Sequence, residues 1–450
     1  EHHRRHPAPG HRQPRCRLKP DLATPPLGLG VDLGSSGLRL ALVETTADCT
    51  AVPLWQASSP YPGAFEDPLS WRDGLIGLCR QMPEPLRERV GAIAIDGTSG
   101  TLLLCRPDGS LLGGPLARAL PYHEACPEQQ TTTERLASTG GPASAAAASA
   151  SGSLARALRL LELAGSEPLL LRHQADWLLG WLLGDWRYGE ATNNLKLGWL
   201  QTTESWAGSI AQQPWSSALP LVLECGSVAG ELHSHSAATL GLPAGSKVVA
   251  GCTDASAGML AAAANPGDGV ATLGTTLALK QWTDAPINAP GISCQRLQGR
   301  WLVGGASNAG GGVLRRFFSD DQLSELSRQI CVDRPSGLEL RPLPSIGERF
   351  PVDDPLLEPV LEPRPVSDAL YLQALLEGLV RIEVAGWKRL QHLGAPPPQR
   401  VISLGGGARN PQWRRLRQQA LGVPVLNRPQ LNAATGMARL AADALHPAPH

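Results

Sequence analysis

Three aspartates sit where small polar turns interrupt apolar runs. Asp32 lies in "GLGVDLGSSGLRLALVE" (28–44), just ahead of a Gly-Ser-Ser turn, and Asp96 lies in "VGAIAIDGTSGTLLLC" (90–105), ahead of Gly-Thr-Ser-Gly. Asp254 lies in "GCTDASAG", where an apolar run gives way to small residues. Backbone N–H groups in tight Gly/Ser/Thr turns converge on anions, hydroxyls add donors, and glycine lets backbone come close. "DLGSSG" and "LGTT" (273–276) are both such turns, one in each half of the chain. A carboxylate among strand residues is costly unless a cation or a donor meets it. Two such turns, each near an aspartate, point to a phosphate site rather than to two plain hairpins.

Other chemistries fit less well. The chain has no GxxxxGK[ST], so it is not a P-loop protein. Gly28, Gly30 and Gly34 miss the dinucleotide spacing, with Asp32 where the turn belongs. "HSH" at 233–235 has no acidic or cysteine partners at metal-ligand spacing and reads as a solvated turn.

The turns need elements to hold them. Residues 28–44 and 267–280 each read as strand, turn, strand, and 90–105 repeats the form. Leucines at helical spacing from Leu154 to Ala164 predict a helix that Ser151 or Ser153 could cap. "HQADWLLGWLLGDW" predicts a buried helix, and residues 371–394 a long one stopped at Gly394. "RVISLGGGARNPQW" reads as strand, glycine turn and helix, and "AATGMARLAADAL" as a closing helix. Each half opens on the same device, which predicts two related lobes facing one another.

Composition bounds the class. At 450 residues and 42% hydrophobic, the chain is long enough for two cored domains. A formal net charge of zero provides no global attraction to nucleic acid or membrane. No apolar stretch reaches the roughly 18–20 uncharged residues of a spanning helix. The nine scattered cysteines form no CxxC pair, which predicts free thiols and a cytoplasmic setting. Residues 1–26, rich in His, Arg and Pro, are expected to be a disordered extension.

Taken together and in order, "GVDLGSSGLR", "AIDGTS", "HQADWLLG", "NNLKLGW", "AGCTDASAG", "LGTTLALK", "GERFP" and "SLGGGARNPQW" resemble the FGGY carbohydrate kinases. The resemblance runs from about Leu27 to Leu445. "GGASNAGGGVLRRFF" and "GERFP" are most similar to the short cyanobacterial and plant-type D-ribulose or xylulose kinases. It implies an α/β, two-lobe actin-like ATPase (ribonuclease H-like) fold with an interlobe cleft. The expected lobes are 27–244, binding sugar, and 245–446, binding ATP. It implies ATP and Mg²⁺ as cofactors, a small-molecule sugar as partner, and a monomer or homodimer. Asp254 would be the general base and Asp32 would lie beside Mg²⁺ and the attacking hydroxyl. Ser35, Ser36 and Arg39 would face the phosphates from the first turn, and Gly274 and Thr275 from the second. Gly311, Gly406, Gly407 and Asn410 would line the nucleotide site, with Trp413 near or in the core.

On the sugar side, Ser99 matches a substrate contact beside Asp32 and Asp254. The stretch matching "PYHEAC" often carries an aspartate and an arginine; here those positions are Glu124 and Cys126, and Glu190 replaces another aspartate. Losing the arginine removes a fixed fork of donors. The expected reaction is phosphorylation of a ketopentose, D-ribulose ahead of D-xylulose. The alternative readings are a xylulose kinase, or a catalytically weak ATPase or sugar-binding regulator on the same fold.

Overall fold

The computed structural model describes residues 25–45 and 52–446. The extension expected over 1–26 falls, up to residue 24, outside the described residues.

The runs flanking the first turn form an antiparallel hairpin, β1 (Leu27–Leu33) and β2 (Leu38–Glu44), with Asp32 opposite Arg39. All of β1 is buried, so its sequence is apolar on both faces, as a central strand's is. β3 (Trp55–Ser59), β4 (Val90–Gly97), β5 (Val228–Glu231) and β6 (Lys247–Val249) complete a six-stranded sheet. Its order is β5-β6-β4-β1-β2-β3, with β1, β4 and β6 parallel. α1 (Pro68–Gln81), with Asp67 as its N-cap, packs Trp71, Leu75 and Leu78 into this sheet's core.

The second sheet repeats the plan. β7 (Asp268–Leu273) and β8 (Leu277–Thr283) are the hairpin around "LGTT". With β9 (Ser293–Leu297), β10 (Arg300–Ala306), β11 (Arg400–Leu404) and β12 (Val425–Asn427) they form the order β9-β10-β8-β7-β11-β12. In both sheets the strand before the phosphate-type turn is antiparallel to its hairpin partner and parallel to a strand arriving from further along the chain. The repeated turn in the sequence thus marks a repeated topology.

Three findings differ from expectation. Leu102–Cys105 is a strand, but it pairs with Leu170–His173 outside the main sheet. Its leucines join Leu154, Leu158 and Leu171 in a separate core, so the residues after β4 build an inserted subdomain. α2 (Ser153–Leu163) starts as predicted but has Gly152 as N-cap and no side-chain cap; Ser153 Oγ bonds His173 Nε2 at 2.9 Å instead. β6, expected to open the second half, is hydrogen-bonded into the first sheet.

The crossing between lobes lies just after β6. α5 (Asp254–Ala261) and the closing helix α8 (Ala433–Asp443) pack together with residues of β4, β6, β7 and β11 in one core between the sheets. Between them in sequence come α6 (Asp368–His392) and α7 (Pro411–Leu421), which cover the second sheet. α8 lies directly on β1: a Cβ on Gly30 would stand 1.9 Å from the Ala434 carbonyl oxygen, and one on Gly28 2.2 Å from that of Ala438. α3 (Gln174–Leu183) and the short α4 (Ala191–Asn194) belong to the first lobe, and Thr192 of α4 accepts the N–H of the residue before Asp254.

Candidate active site

The topology gathers the three aspartates. Asp32 and Asp96 are Cα partners on parallel strands, and Gly97 bridges Thr253, the residue before Asp254. All three lie at or just beyond strand ends on one side of the sheet, where open α/β sheets bind ligands. Asp32 is buried and paired with Arg39 (Nη1–Oδ2 2.7 Å). Asp96 is fully buried, and neither of its oxygens has a hydrogen-bond partner among the described residues. Burial, then the neighbouring charges of Asp32 and Asp254, holds its carboxyl well above the usual range. Two neighbouring carboxyls, one paired with arginine and the other with both oxygens unsatisfied, are an oxygen donor set of the kind a hard divalent cation takes, sharing the rest of its shell with phosphates and water. The residues therefore fit Mg²⁺, which Asp32 and Asp96 would hold; among the described residues no group of three or more His, Cys, Asp and Glu is arranged as a metal cage.

Asp254 opens α5, with Thr253 at the N-cap. Its Oδ1 accepts the Ala255 N–H at 2.7 Å. It is partly water-accessible, yet enclosed enough that burial, followed by Asp32, raises its pKa. Lys196 and Lys280 oppose that rise, one from each half of the chain. Lys280, crowded by protein, is itself pushed down to about 8. A carboxylate reachable from the cleft, raised but still held in check by cations, is suited to accept a proton near neutral pH.

The two turns are built as cradles. Ser35 and Ser36 are exposed, and the Tyr61 hydroxyl donates to the Gly34 carbonyl at 2.8 Å, holding the turn's entry. In the second turn Gly274 and Thr275 are backed by glycines: the Gly311 N–H donates to Gly274 O at 2.9 Å and that of Gly312 to Thr275 O at 3.1 Å. A Cβ on Gly310 would stand 2.5 Å from Thr275 O. The glycine run 310–312 thus supports the turn, and Gly311 acts through it. Gly405 bends β11 away at φ 83°; a Cβ on Gly406 would meet open space, whereas one on Gly407 would strike Trp413 at 2.4 Å. Asn410 Oδ1 caps α7, accepting from Gln412 N and Trp413 N at 3.0 Å each, while its amide donates to Ser327 Oγ at 2.8 Å. Trp413 is a core residue. Asn410 and Trp413 therefore shape this end of the site through α7, leaving Gly406 on the open side.

Ser99 lies in the loop leaving β4, half-buried. Its carbonyl accepts from Lys196 Nζ at 3.2 Å. The loop is braced by the buried guanidinium of Arg156, which donates to the carbonyls of Gly100, Tyr122, Glu124 and Ser151. Glu124 pairs with Arg118 and Arg159, both at 3.0 Å, and Cys126 is buried. The departures at these two positions are thereby absorbed into packing of the inserted subdomain. Glu190 is likewise internal: it caps α4 and is pushed up to about 8 by burial and by Asp176.

Residues 269–445 match the FGGY family of carbohydrate kinases, C-terminal domain. The second lobe is an FGGY carbohydrate-kinase domain. The chain as a whole overlays on solved kinases at low identity. A xyloylose kinase from Brucella ovis and a xylulose kinase from Rhodospirillum rubrum each match at 21% identity and TM-score 0.77, covering 94% of this chain and 91% of theirs. A Plasmodium falciparum glycerol kinase solved with ADP matches at 14% identity and TM-score 0.75, covering 93% and 89%. The fold is accordingly the two-domain actin-like ATPase fold of these kinases, and the enzyme class is phosphotransferase. The FGGY domain begins within β7, so it contains the second turn, the glycine run and Gly406, while the three aspartates lie before it.

Lys196, Lys280 and Tyr61 were not among the residues that the motifs single out. Both lysines stand inside quoted motifs, "NNLKLGW" and "LGTTLALK", but a lone lysine in a motif carries no signal of where its four-carbon stem delivers the charge. Among the described residues, no helix is long and apolar enough to cross a membrane, and all cysteines are free.

Proposed function

We propose that the chain transfers the γ-phosphoryl group of ATP to a terminal hydroxyl of a ketopentose, with D-ribulose ahead of D-xylulose. The observation carrying this reading is the placement of Asp254: Thr253 before it bridges Gly97 at the end of the Asp96 strand, and Asp254 lies within electrostatic reach of Asp32, of Asp96 and of lysines from both halves, one of which, Lys196, also holds the Ser99 carbonyl. In the proposed reaction the acceptor hydroxyl gives its proton to the Asp254 carboxylate as its oxygen bonds to phosphorus and the bond to ADP breaks. Ser35, Ser36 and Thr275 hold the phosphates, and Gly406 admits the nucleoside. Phosphoryl transfer is mostly positioning and charge stabilisation, so these contacts carry most of the rate. Mg²⁺, when bound, would neutralise phosphate charge. The sugar then belongs mainly to 27–244 and the nucleotide to 245–446. The ADP in the glycerol kinase relative and the xylulose kinases among the solved neighbours support a nucleotide and a five-carbon acceptor.

Asp32→Asn is expected to raise the Mg²⁺ concentration for half-maximal rate by about tenfold or more, because it removes a carboxylate from a two-carboxylate site. A Mg²⁺ titration of the variant checks this; an unchanged midpoint in a folded protein removes Asp32 from the cation.

The acceptor is tested by specificity constants for D-ribulose, D-xylulose, L-ribulose, glycerol and gluconate under one set of conditions, read as ADP release. The two D-pentuloses should lead, within roughly tenfold of each other if one neutral hydrogen bond separates them. Glycerol or gluconate exceeding both would overturn the ketopentose assignment.

A further inference from the structure

Behind the base runs a buried polar chain that the proposed reaction does not use directly. The Thr253 N–H donates to Thr192 Oγ1 at 3.0 Å, and the Thr192 hydroxyl donates to Glu190 Oε1 at 2.7 Å. Glu190 is fixed in turn: it accepts the N–H groups of Thr192, at 2.9 Å, and of Asn193, and its own N–H donates to Asp176 Oδ1 at 2.9 Å. Asp176 Oδ2 accepts from Asn194 Nδ2 at 3.1 Å and lies 3.4 Å from His173 Nδ1. All of these side chains are buried.

The direction of these bonds matters. A hydroxyl has one proton, and Thr192 spends it on Glu190. Its lone pairs are then turned to the Thr253 N–H, 61 residues away in sequence. That N–H belongs to the last residue before α5, so the bond fixes the Cys252–Thr253 peptide, one residue ahead of Asp254. The loop has little slack of its own: Gly251 presses on β4, where a Cβ would stand 1.8 Å from the Ile95 carbonyl oxygen. Four residues beyond Thr192, Lys196 reaches the Ser99 carbonyl. One short stretch, 190–196, therefore anchors both the base-bearing loop and the acceptor loop.

We propose that Thr192, oriented by Glu190, is a positioning residue for Asp254. It sets the angle at which the carboxylate meets the acceptor hydroxyl without touching the acceptor itself. The inference rests on the kinase reading for its catalytic consequence, but not for its structural one. A misplacement of about 1 Å in such a site costs about 10²-fold in rate.

The test compares Thr192→Val, Thr192→Ala and Thr192→Ser in the full chain. Valine keeps the shape and removes both hydrogen bonds; serine keeps them. Thr192→Val should lower kcat with D-ribulose by about 10- to 100-fold with the KM for ATP little changed, and Thr192→Ser should restore most of it. Amide hydrogen exchange gives a readout that needs no substrate. The Thr253 amide should exchange about tenfold faster or more in Thr192→Val, with β1 unaltered, and near the wild-type rate in Thr192→Ser. If Thr192→Val does not fold, Thr192→Ala should show the same faster exchange at Thr253. Wild-type protection of Thr253 in the folded Val or Ala variant overturns the proposal, as does a serine variant as impaired as the valine one. Should the wild-type protein act on no sugar, the kinase reading fails while the exchange result still decides this inference.

Discussion

Replacing Asp254 by asparagine is expected to lower turnover by about 10²-fold or more while leaving ATP affinity little changed. Asparagine keeps the size of the side chain, and its carbonyl can still accept the Ala255 N–H that Oδ1 holds at 2.7 Å. What it loses is the ability to take a proton and the negative charge facing Lys196 and Lys280. The nucleotide is expected at the two turns and Gly406, away from this side chain, so binding and chemistry should separate. The same residue sets a pH dependence. A general base works only when ionised, and burial together with Asp32 raises the Asp254 pKa. The rise of kcat/KM with pH should therefore lie above the ordinary carboxylate range, and that limb should be missing from the residual activity of the variant. Turnover of Asp254→Asn near the wild-type value removes it as the base.

Gly30→Ala should destabilise the fold strongly. The added Cβ would stand 1.9 Å from the Ala434 carbonyl oxygen and 2.2 Å from the Ala438 nitrogen, both backbone atoms of α8. No side-chain rotation relieves such a clash, so α8 must lift from β1. Overpacking of this kind costs about 1–3 kcal/mol or more, and a loss at the upper end lowers Tm by roughly 3 °C in a chain of this size. Gly77→Ala is the control: this glycine is exposed in α1 and a Cβ there meets nothing within 4 Å. Removing a helix-interior glycine should stabilise by about 0.5–1 kcal/mol. Thermal unfolding of the pair should move Tm in opposite directions. A Gly30→Ala protein as stable as wild type contradicts the close seating of α8.

The alternation of Gly28 and Gly30 shows how sequence and structure divide the work. As a dinucleotide fingerprint the spacing fails. As two residues on one face of a strand it marks a surface where another backbone comes close, and α8 is that backbone. The two hairpins were legible because apolar runs around Gly/Ser turns specify them locally, and their likeness predicted the repeated sheet plan. The pairing of Leu102–Cys105 was not, since strand pairing depends on which leucines elsewhere complete a core. The membership of β6 in the first sheet rests on its pairing with β4, set far from it in sequence. In the site, Asp32, Asp96 and Asp254 announce themselves by their turns, and their convergence follows the parallel strands. Asn410 shows the converse: its motif pointed to the nucleotide, while its oxygen is committed to capping α7. Thr192 gave no signal, because its partner at Thr253 is brought to it only by the folded chain.

Phosphorus NMR of a reaction containing ATP, Mg²⁺ and D-ribulose tests the central claim most directly. The account predicts a sugar phosphomonoester accumulating in step with ADP, no inorganic phosphate beyond a trace, and no ADP when sugar is omitted. Release of ADP and inorganic phosphate at the same rate with and without any sugar would contradict it and leave an ATPase on the same fold.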